Sequence, residues 1–185
     1  MSASKKITGH LGKNKVKFEL VEHKKVYTAY DLAQTLGHKL DGIAKTLLVH
    51  ADIPEVQKKG KLHYVIVVPA SYNIDLTKVK KLLKAKKVDF VKEKAIAKLG
   101  VKPGAISPFG SARGFGVVMD KALLKTKDIL VGAESFTESV RMKVKDLVAI
   151  EAPIVGVIGK KNKLKLQKKA APKKKSKKGK GPKKK

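Results

Sequence analysis

The feature that most limits the fold is an abrupt change of composition near Gly159. Residues 160–185 contain 15 lysines and no acidic side chain, together with two prolines and two glycines. A segment with so few apolar residues and so much charge of one sign cannot bury enough apolar surface to fold alone. We therefore predict one folded domain over residues 1–158 and a disordered lysine-rich tail over residues 159–185.

The positive charge of the whole chain is carried almost entirely by lysine. The 44 basic residues outnumber the 15 acidic ones, which gives a formal net charge of +29, and only Arg113 and Arg141 are arginines. A lysine amine attracts phosphates as a point charge, whereas the planar arginine fork is better suited to reading carboxylates or guanine edges. The composition indicates a polyanion partner, RNA, bound through its phosphates. The tail residues expected to bind RNA are Lys173, Lys174, Lys175, Lys177 and Lys178.

Several other kinds of site are disfavoured by what the chain lacks. It has no cysteine, which excludes disulfides and thiolate ligands, and its five histidines do not show the spacing of metal ligands. The longest apolar runs, such as residues 65–68, are far shorter than the roughly 20 residues of a membrane-spanning helix. Residues 1–6 lack the apolar stretch of a signal peptide. We expect no metal, no cofactor, no membrane contact and a cytoplasmic location.

The apolar pattern of the predicted domain changes repeatedly between the strand period and the helix period. Thr28 is placed to cap a helix that Gly37 ends, and Asp75 is placed to begin another. The predicted helices are residues 4–11, 29–36, 76–83, 92–99 and 144–149, and the predicted strands are residues 18–23, 44–50, 62–68, 88–91, 116–119, 129–131 and 139–142. Short strands interspersed with helices predict an α+β fold with a mixed, mainly antiparallel sheet flanked by helices.

Two features of this pattern suggest a ligand site. Lys45 begins an otherwise apolar strand, so its amine lies at the open end of a sheet, faces a cleft, or simply extends over an exposed sheet face into water. In the loop of residues 104–110, glycines bracket a turn fixed by Pro108. Such a loop either lets backbone N–H groups approach an anionic or ester ligand closely or is a plain surface connection.

Further motifs accompany these two features in order along the chain. They are His23 with Val26-Tyr27-Thr28-Ala29, Ala44-Lys45-Thr46-Leu47-Leu48-Val49, the strand of residues 62–69 followed by Asp75-Leu76, the loop of residues 103–110, and Val131-Gly132-Ala133 leading to Ser139-Val140-Arg141 and Asp146-Leu147. Over about residues 15–150 the chain thereby resembles the YbaK/prolyl-tRNA-synthetase-associated family of aminoacyl-tRNA deacylases. The most specific part is the lysine-bearing strand followed, about 60 residues later, by a GxxxP loop.

The resemblance implies a YbaK-like sheet with flanking helices and a pocket between the lysine strand and the GxxxP loop. It gives catalytic roles to Lys45, which would hold the 3′-terminal nucleotide or its phosphate, and to Gly104 and Pro108, whose loop would orient the aminoacyl ester. The substrate-binding residues that it implies are Thr28, Thr46, Ala105, Ile106, Ser107, Gly132 and Ala133. Two departures bear on substrate preference: Glu134 stands where the family often has glycine, and residues 110–116 are unusually rich in glycine.

The reaction that the resemblance implies is hydrolysis, in trans, of the ester of a mischarged tRNA. The small residues of the expected pocket suit a small amino acid such as alanine on the tRNA for proline, with cysteine and serine as further options. The expected partners are the aminoacylated 3′ end of tRNA and an aminoacyl-tRNA synthetase. One alternative is a non-catalytic tRNA- or RNA-binding module or synthetase-complex scaffold, and another is a nuclear protein that uses residues 173–178 as an import signal.

Overall fold

The computed structural model describes residues 4–57 and 63–162, and these contain ten β-strands and six α-helices. The strands are β1 (Phe18–Glu22), β2 (Ala44–Asp52), β3 (His63–Pro69), β4 (Tyr72–Ile74), β5 (Lys87–Phe90), β6 (Gly116–Asp120), β7 (Asp128–Gly132), β8 (Glu138–Lys143), β9 (Ile154–Gly156) and β10 (Gly159–Lys161). The helices are α1 (Lys5–Lys13), α2 (Ala29–Leu36), α3 (Pro54–Gln57), α4 (Leu76–Leu82), α5 (Glu93–Lys98) and α6 (Val144–Glu151). Short 3₁₀ turns occur at Leu40–Gly42, Ser111–Arg113 and Lys121–Lys125.

The strands of this part of the chain form three sheets. The largest has the order β5-β2-β3-β6-β9, in which β2 is antiparallel to both β5 and β3, whereas β3, β6 and β9 run parallel. A second sheet, β1-β8-β7, and a third, β10-β4, are antiparallel throughout. The predicted α+β fold, with a mixed and mainly antiparallel sheet flanked by helices, is confirmed.

The five-stranded sheet is covered on both faces, which explains why its central strands are apolar at nearly every position. On one face Leu48 and Val65 belong to a core cluster that also contains Ile129 of the three-stranded sheet. On the other face Val49 and Ile66 pack with apolar residues of α4. Because side chains alternate between the two faces along a strand, even-numbered residues of β2 face the three-stranded sheet.

The local signals for helix ends are confirmed where the sequence placed them. The hydroxyl of Thr28 accepts a hydrogen bond from the N–H of Asp31 at 3.0 Å and so caps α2, and Gly37 ends that helix in the left-handed conformation at φ = 67°. The carboxylate of Asp75 accepts a hydrogen bond from the N–H of Thr77 at 3.0 Å and begins α4 in the same way.

The C-terminal strand β10 lies beyond the predicted end of the folded domain at residue 158. A carboxylate oxygen of the buried Asp120 accepts hydrogen bonds from the N–H groups of Ile158 and Gly159 at 2.9 and 2.7 Å, and the N–H of Asn162 donates to the carbonyl of Ser71 at 2.7 Å. This segment is held by backbone hydrogen bonds and not by an apolar stripe, so hydrophobic periodicity gives no sign of it. The strands β4 and β9 were not predicted because three residues are too few to show the period of a strand.

The remaining predictions about the tail concern residues 163–185, which lie outside the described residues. The five tail lysines proposed to bind RNA therefore stay a prediction. In residues 4–57 and 63–162, no helix is both long enough and apolar enough to cross a membrane.

Candidate active site

A cavity of about 250 Å³ opens where β2, the start of α2, the loop after Gly104 and the ends of β7 and β8 meet. It exists because β5 pairs with β2 only from Val49 to Asp52 and β7 bridges the chain only at Ile43, before β2, so residues 45–47 have no strand paired with them on that edge in the described part of the chain. Seven of the predicted site residues line the cavity: Thr28, Lys45, Thr46, Gly104, Ala105, Ile106 and Gly132. Residues far apart in sequence are thus brought into one site.

Thr46 lines this cavity and carries a buried polar group without a hydrogen-bond partner among the described residues. Its hydroxyl oxygen is shielded from solvent and has no hydrogen-bond partner among the described residues. A buried polar atom without a partner is unfavourable by about 1–3 kcal/mol, and such atoms are rare in folded proteins. The carbonyl of Leu48 accepts from Val91 on the β5 side, and because backbone groups alternate along a strand, those of Thr46 point to the same open edge. A polar ligand would satisfy this edge.

Lys45 is half-buried, and its ammonium donates a hydrogen bond to the backbone carbonyl of Tyr72 in β4. Burial lowers the pKa of Lys45 below its ordinary value, because desolvation disfavours the charged form. An ammonium has three N–H donors, so one bond to Tyr72 leaves two for a ligand. Lys45 lines the cavity, and its bond to the carbonyl does not use up the capacity of the amine to bind an anion.

Two glycines, Gly104 and Gly132, let β7 and the loop after it come close to the loop of residues 104–108. Gly104 has φ = 79°, and a Cβ there would lie 3.5 Å from Cε1 of Phe136. A Cβ at Gly132 would lie 3.0 Å from the carbonyl oxygen of Ile106. Larger residues at these two positions would strain the backbone or push the loop away, so the shape of the cavity depends on both glycines.

Three predicted site residues lie behind the cavity wall and do not line it. Ser107 and Pro108 are buried, because the chain turns inward after Ile106 and inserts Phe109, which is 1% exposed, into the core. Ala133 is fully buried, and its carbonyl accepts a hydrogen bond from the N–H at the start of α1. Their contribution to this geometry is to hold the wall in place.

A histidine–serine pair for which no role was predicted lies in the cavity. Nε2 of His23 lies 3.0 Å from Oγ of Ser139, and Nδ1 lies 2.9 Å from the carbonyl of Lys24. Because a carbonyl can only accept, Nδ1 carries the proton, and Nε2 of a neutral ring accepts from the serine hydroxyl. The two residues are 116 positions apart, so no local motif signals that they meet; antiparallel pairing of β1 with β8 brings them together.

Comparison with known proteins agrees with this geometry. The family model described as the aminoacyl-tRNA editing domain matches residues 23–150 of the chain. The chain belongs to the aminoacyl-tRNA editing domain family. The predicted family is confirmed, as is the predicted enzyme class, an aminoacyl-tRNA deacylase, with tRNA as the class of substrate.

Relatives of this editing domain extend over most of the chain. It is 28% identical to the prolyl-tRNA editing protein ProX of Acetoanaerobium sticklandii over 155 residues, which cover 81% of this chain and 91% of that protein. The crystal structure of the hypothetical protein APE2540 matches with a TM-score of 0.73 and 21% identity, over 84% of this chain and all of the other. A candidate trans-editing enzyme for prolyl tRNA synthetase matches with a TM-score of 0.69 and 20% identity, over 86% and 99% of the two chains. The two structures show that the fold is shared.

The two departures from the family pattern contact each other in this editing domain. Nε and Nη2 of Arg113 donate to the two carboxylate oxygens of Glu134 at 2.6 and 2.5 Å, which also raises the pKa of Arg113 above its ordinary value. Glu134 has φ = 56° and is 7% exposed, and its side chain does not line the cavity. Glu134, a departure expected to bear on substrate preference, thus has a structural role, because the pair joins two loops behind the site.

Proposed function

We propose that this chain hydrolyses, in trans, the ester of a tRNA for proline that carries a small amino acid such as alanine. The observation that carries the proposal is the cavity between the Lys45 strand and the Gly104 loop, with Thr46, whose buried hydroxyl has no hydrogen-bond partner among the described residues, in its wall. The relation to a prolyl-tRNA editing protein supports proline as the tRNA identity. Such an enzyme would act in the cytoplasm, where a prolyl-tRNA synthetase would be its partner.

The chemistry proposed for this site needs no covalent intermediate. An aminoacyl ester is already activated, so orienting it, polarising its carbonyl with backbone N–H groups and placing a water can supply the rate. Lys45 would hold the 3′-terminal nucleotide through its ribose or phosphate, and the loop from Gly104 to Ile106 would orient the ester. Ser139, whose hydroxyl hydrogen is directed to His23, would present its oxygen lone pairs to a water or to the α-amino group.

Selectivity would come from the size and the walls of the cavity. Its volume of about 250 Å³ lies below the roughly 300–1,000 Å³ of most ligand pockets, and part of it must hold the terminal ribose. Part of its wall is aliphatic, with Leu32, Ala44 and Ile106. A site of this kind rejects amino acids that are too large. A synthetase pocket needs such a second sieve, because one methylene changes the binding free energy of the amino acid by only about 1–3 kcal/mol.

The test is a deacylation panel of correctly and incorrectly charged tRNAs. We expect hydrolysis of alanyl-tRNA for proline, little hydrolysis of prolyl-tRNA, and a loss of about tenfold to hundredfold in kcat/KM for Lys45→Ala, since a hydrogen bond to a charged group is worth about 1.5–3 kcal/mol. Lys87→Ala is the matched control, because Lys87 is exposed on β5 and pairs with Asp89 at 2.9 Å. If wild-type protein leaves every mischarged tRNA intact but still binds RNA, the non-catalytic binding module replaces this proposal.

The lysine tail is proposed to tether tRNA without selecting it. Deleting residues 163–185 should weaken RNA binding at low salt, remove part of the salt dependence and leave the choice of amino acid unchanged. The shortened chain ends at Asn162 and therefore keeps β10. A deletion variant with an altered amino-acid preference would contradict a purely electrostatic role.

A further inference from the structure

An aromatic pair, the exposed Tyr27 and the half-buried Phe136, stands at the mouth of the cavity. Tyr27 is 59% exposed and lines the cavity, and its ring centroid lies 5.1 Å from that of Phe136, with the ring planes inclined by 55°. The ammonium of Lys25 lies 5.2 Å from the centroid of the Tyr27 ring. Neither ring belongs to the buried core, so packing of the fold does not account for a large aromatic side chain at this point.

The backbone holds this pair in place beside the site. The N–H of Val26 donates to the carbonyl of Phe136 at 2.9 Å, which joins the segment before α2 to the turn between β7 and β8. Gly104 lies directly behind Phe136, because a Cβ on this glycine would lie 3.5 Å from the ring. The aromatic pair is therefore attached to the loop that shapes the cavity, and a ligand held in the cavity would extend past these rings.

We propose that Tyr27 and Phe136 form a stacking platform for the 3′-terminal nucleobase of the aminoacylated RNA. This inference rests on the proposed function, since the ester would occupy the cavity and the base lies one ribose away from it. Unpaired bases are commonly bound by stacking on aromatic side chains, and a flat, sequence-tolerant ring surface is all that such a contact needs. Lys25 supplies a mobile cation beside the ring, suited to the negatively charged backbone of the same nucleotide.

The platform predicts an effect that depends on the base. Stacking contributes about equally to substrate and transition state, so its loss raises KM and leaves kcat nearly unchanged. Tyr27→Ala should raise KM for mischarged tRNA about tenfold, within the roughly 5- to 150-fold range for one stacked base. Tyr27→Phe, which keeps the ring, should behave like wild type. Phe90→Ala is the control, because Phe90 is a 47% exposed aromatic residue that does not line the cavity.

Two substrates separate stacking from a structural role of the ring. The first is mischarged tRNA, and the second is the same RNA with an abasic 3′-terminal ribose that carries the same ester. Wild-type protein should prefer the first through KM, and Tyr27→Ala should lose that preference while retaining its activity on the abasic ester. An equal loss of activity on both substrates, or no loss on either, would overturn the platform.

A binding measurement keeps the inference testable if the proposed hydrolysis fails. RNA with 2-aminopurine as its 3′-terminal base should lose fluorescence when wild type, Tyr27→Phe or Phe90→Ala binds, because stacking quenches the base. Tyr27→Ala should bind without this quenching. Quenching by wild type without any hydrolysis would reject the proposed function and keep the platform, whereas equal quenching by Tyr27→Ala would reject the platform alone.

Discussion

The ion pair of Arg113 and Glu134 offers the sharpest test of how the loops behind the site are held. The side chains of the pair are 14% and 6% exposed, and both carboxylate oxygens accept hydrogen bonds from the guanidinium. Replacing Arg113 by alanine leaves a buried carboxylate without its partner, a change that costs about 3–5 kcal/mol. We expect Arg113→Ala to lower the free energy of unfolding by about that amount.

The backbone at Glu134 makes the double variant informative. With φ = 56°, Glu134 occupies the left-handed region, which costs a residue with a side chain about 1–2 kcal/mol relative to glycine. Replacing Glu134 by glycine in the Arg113→Ala background removes both the unpaired charge and this strain. The double variant should therefore be more stable than Arg113→Ala alone, and a double-mutant cycle should give a coupling of at least about 2 kcal/mol.

Equilibrium unfolding in urea, followed by circular dichroism, measures these differences. Arg141→Ala is the matched control, because Arg141 pairs with Glu19 at 3.2 Å with 40% and 63% of the two side chains exposed, and such surface pairs are worth about 0–1 kcal/mol. A loss below about 1 kcal/mol for Arg113→Ala, or effects that add without coupling in the double variant, would refute the reasoning.

Two further predictions concern the loop contact and the response to pH. Gly132→Ala should lower kcat/KM roughly tenfold or more with little loss of stability, because its Cβ would lie 3.0 Å from the Ile106 carbonyl and displace the loop. Gly12→Ala, in open space on α1, should leave kcat/KM unchanged. Burial and the neighbouring His50 lower the pKa of His63 below its ordinary value of 6.5. The unfolded chain therefore binds the proton more readily, so the stability is retained above pH 6.5 and decreases as the pH falls through the folded-state pKa. Melting temperatures between pH 7.5 and 5 should fall less for His63→Gln than for wild type, and parallel curves would contradict this assignment.

Elements with local signals could be predicted from the sequence. Helix α2 begins at a capping threonine and ends at a glycine in the left-handed conformation, and both signals lie within the helix and its flanking residues. Strands β2 and β3 are long and apolar because both faces of their sheet are covered. Strand β10 could not be predicted, since it depends on a carboxylate of Asp120, 39 residues away from the Gly159 N–H that it binds.

Some residues of the candidate site could likewise be predicted from the sequence, whereas others could not. Lys45 is detectable because a charge interrupts an apolar strand, and Gly104 because a loop with two nearby prolines needs a residue free to adopt positive φ. The pairing of His23 with Ser139 depends on the register of β1 with β8 and could not be read from either segment alone. Motif membership also does not decide side-chain direction: Pro108 belongs to the GxxxP motif but lies buried behind the wall.

Strand β10, which could not be predicted from the sequence, bears on the position of Lys45. Lys45 is odd-numbered in β2, so its side chain leaves the sheet on the face of Val49, away from the hydroxyl of Thr46, and reaches the carbonyl of Tyr72. Tyr72 lies opposite Lys161 in the pairing of β4 with β10. Strand β10 therefore pairs with β4, the strand that carries the carbonyl to which the lysine is bonded. On the proposed function, the last described strand thus supports, through β4, the amine that would hold the 3′ end of the RNA.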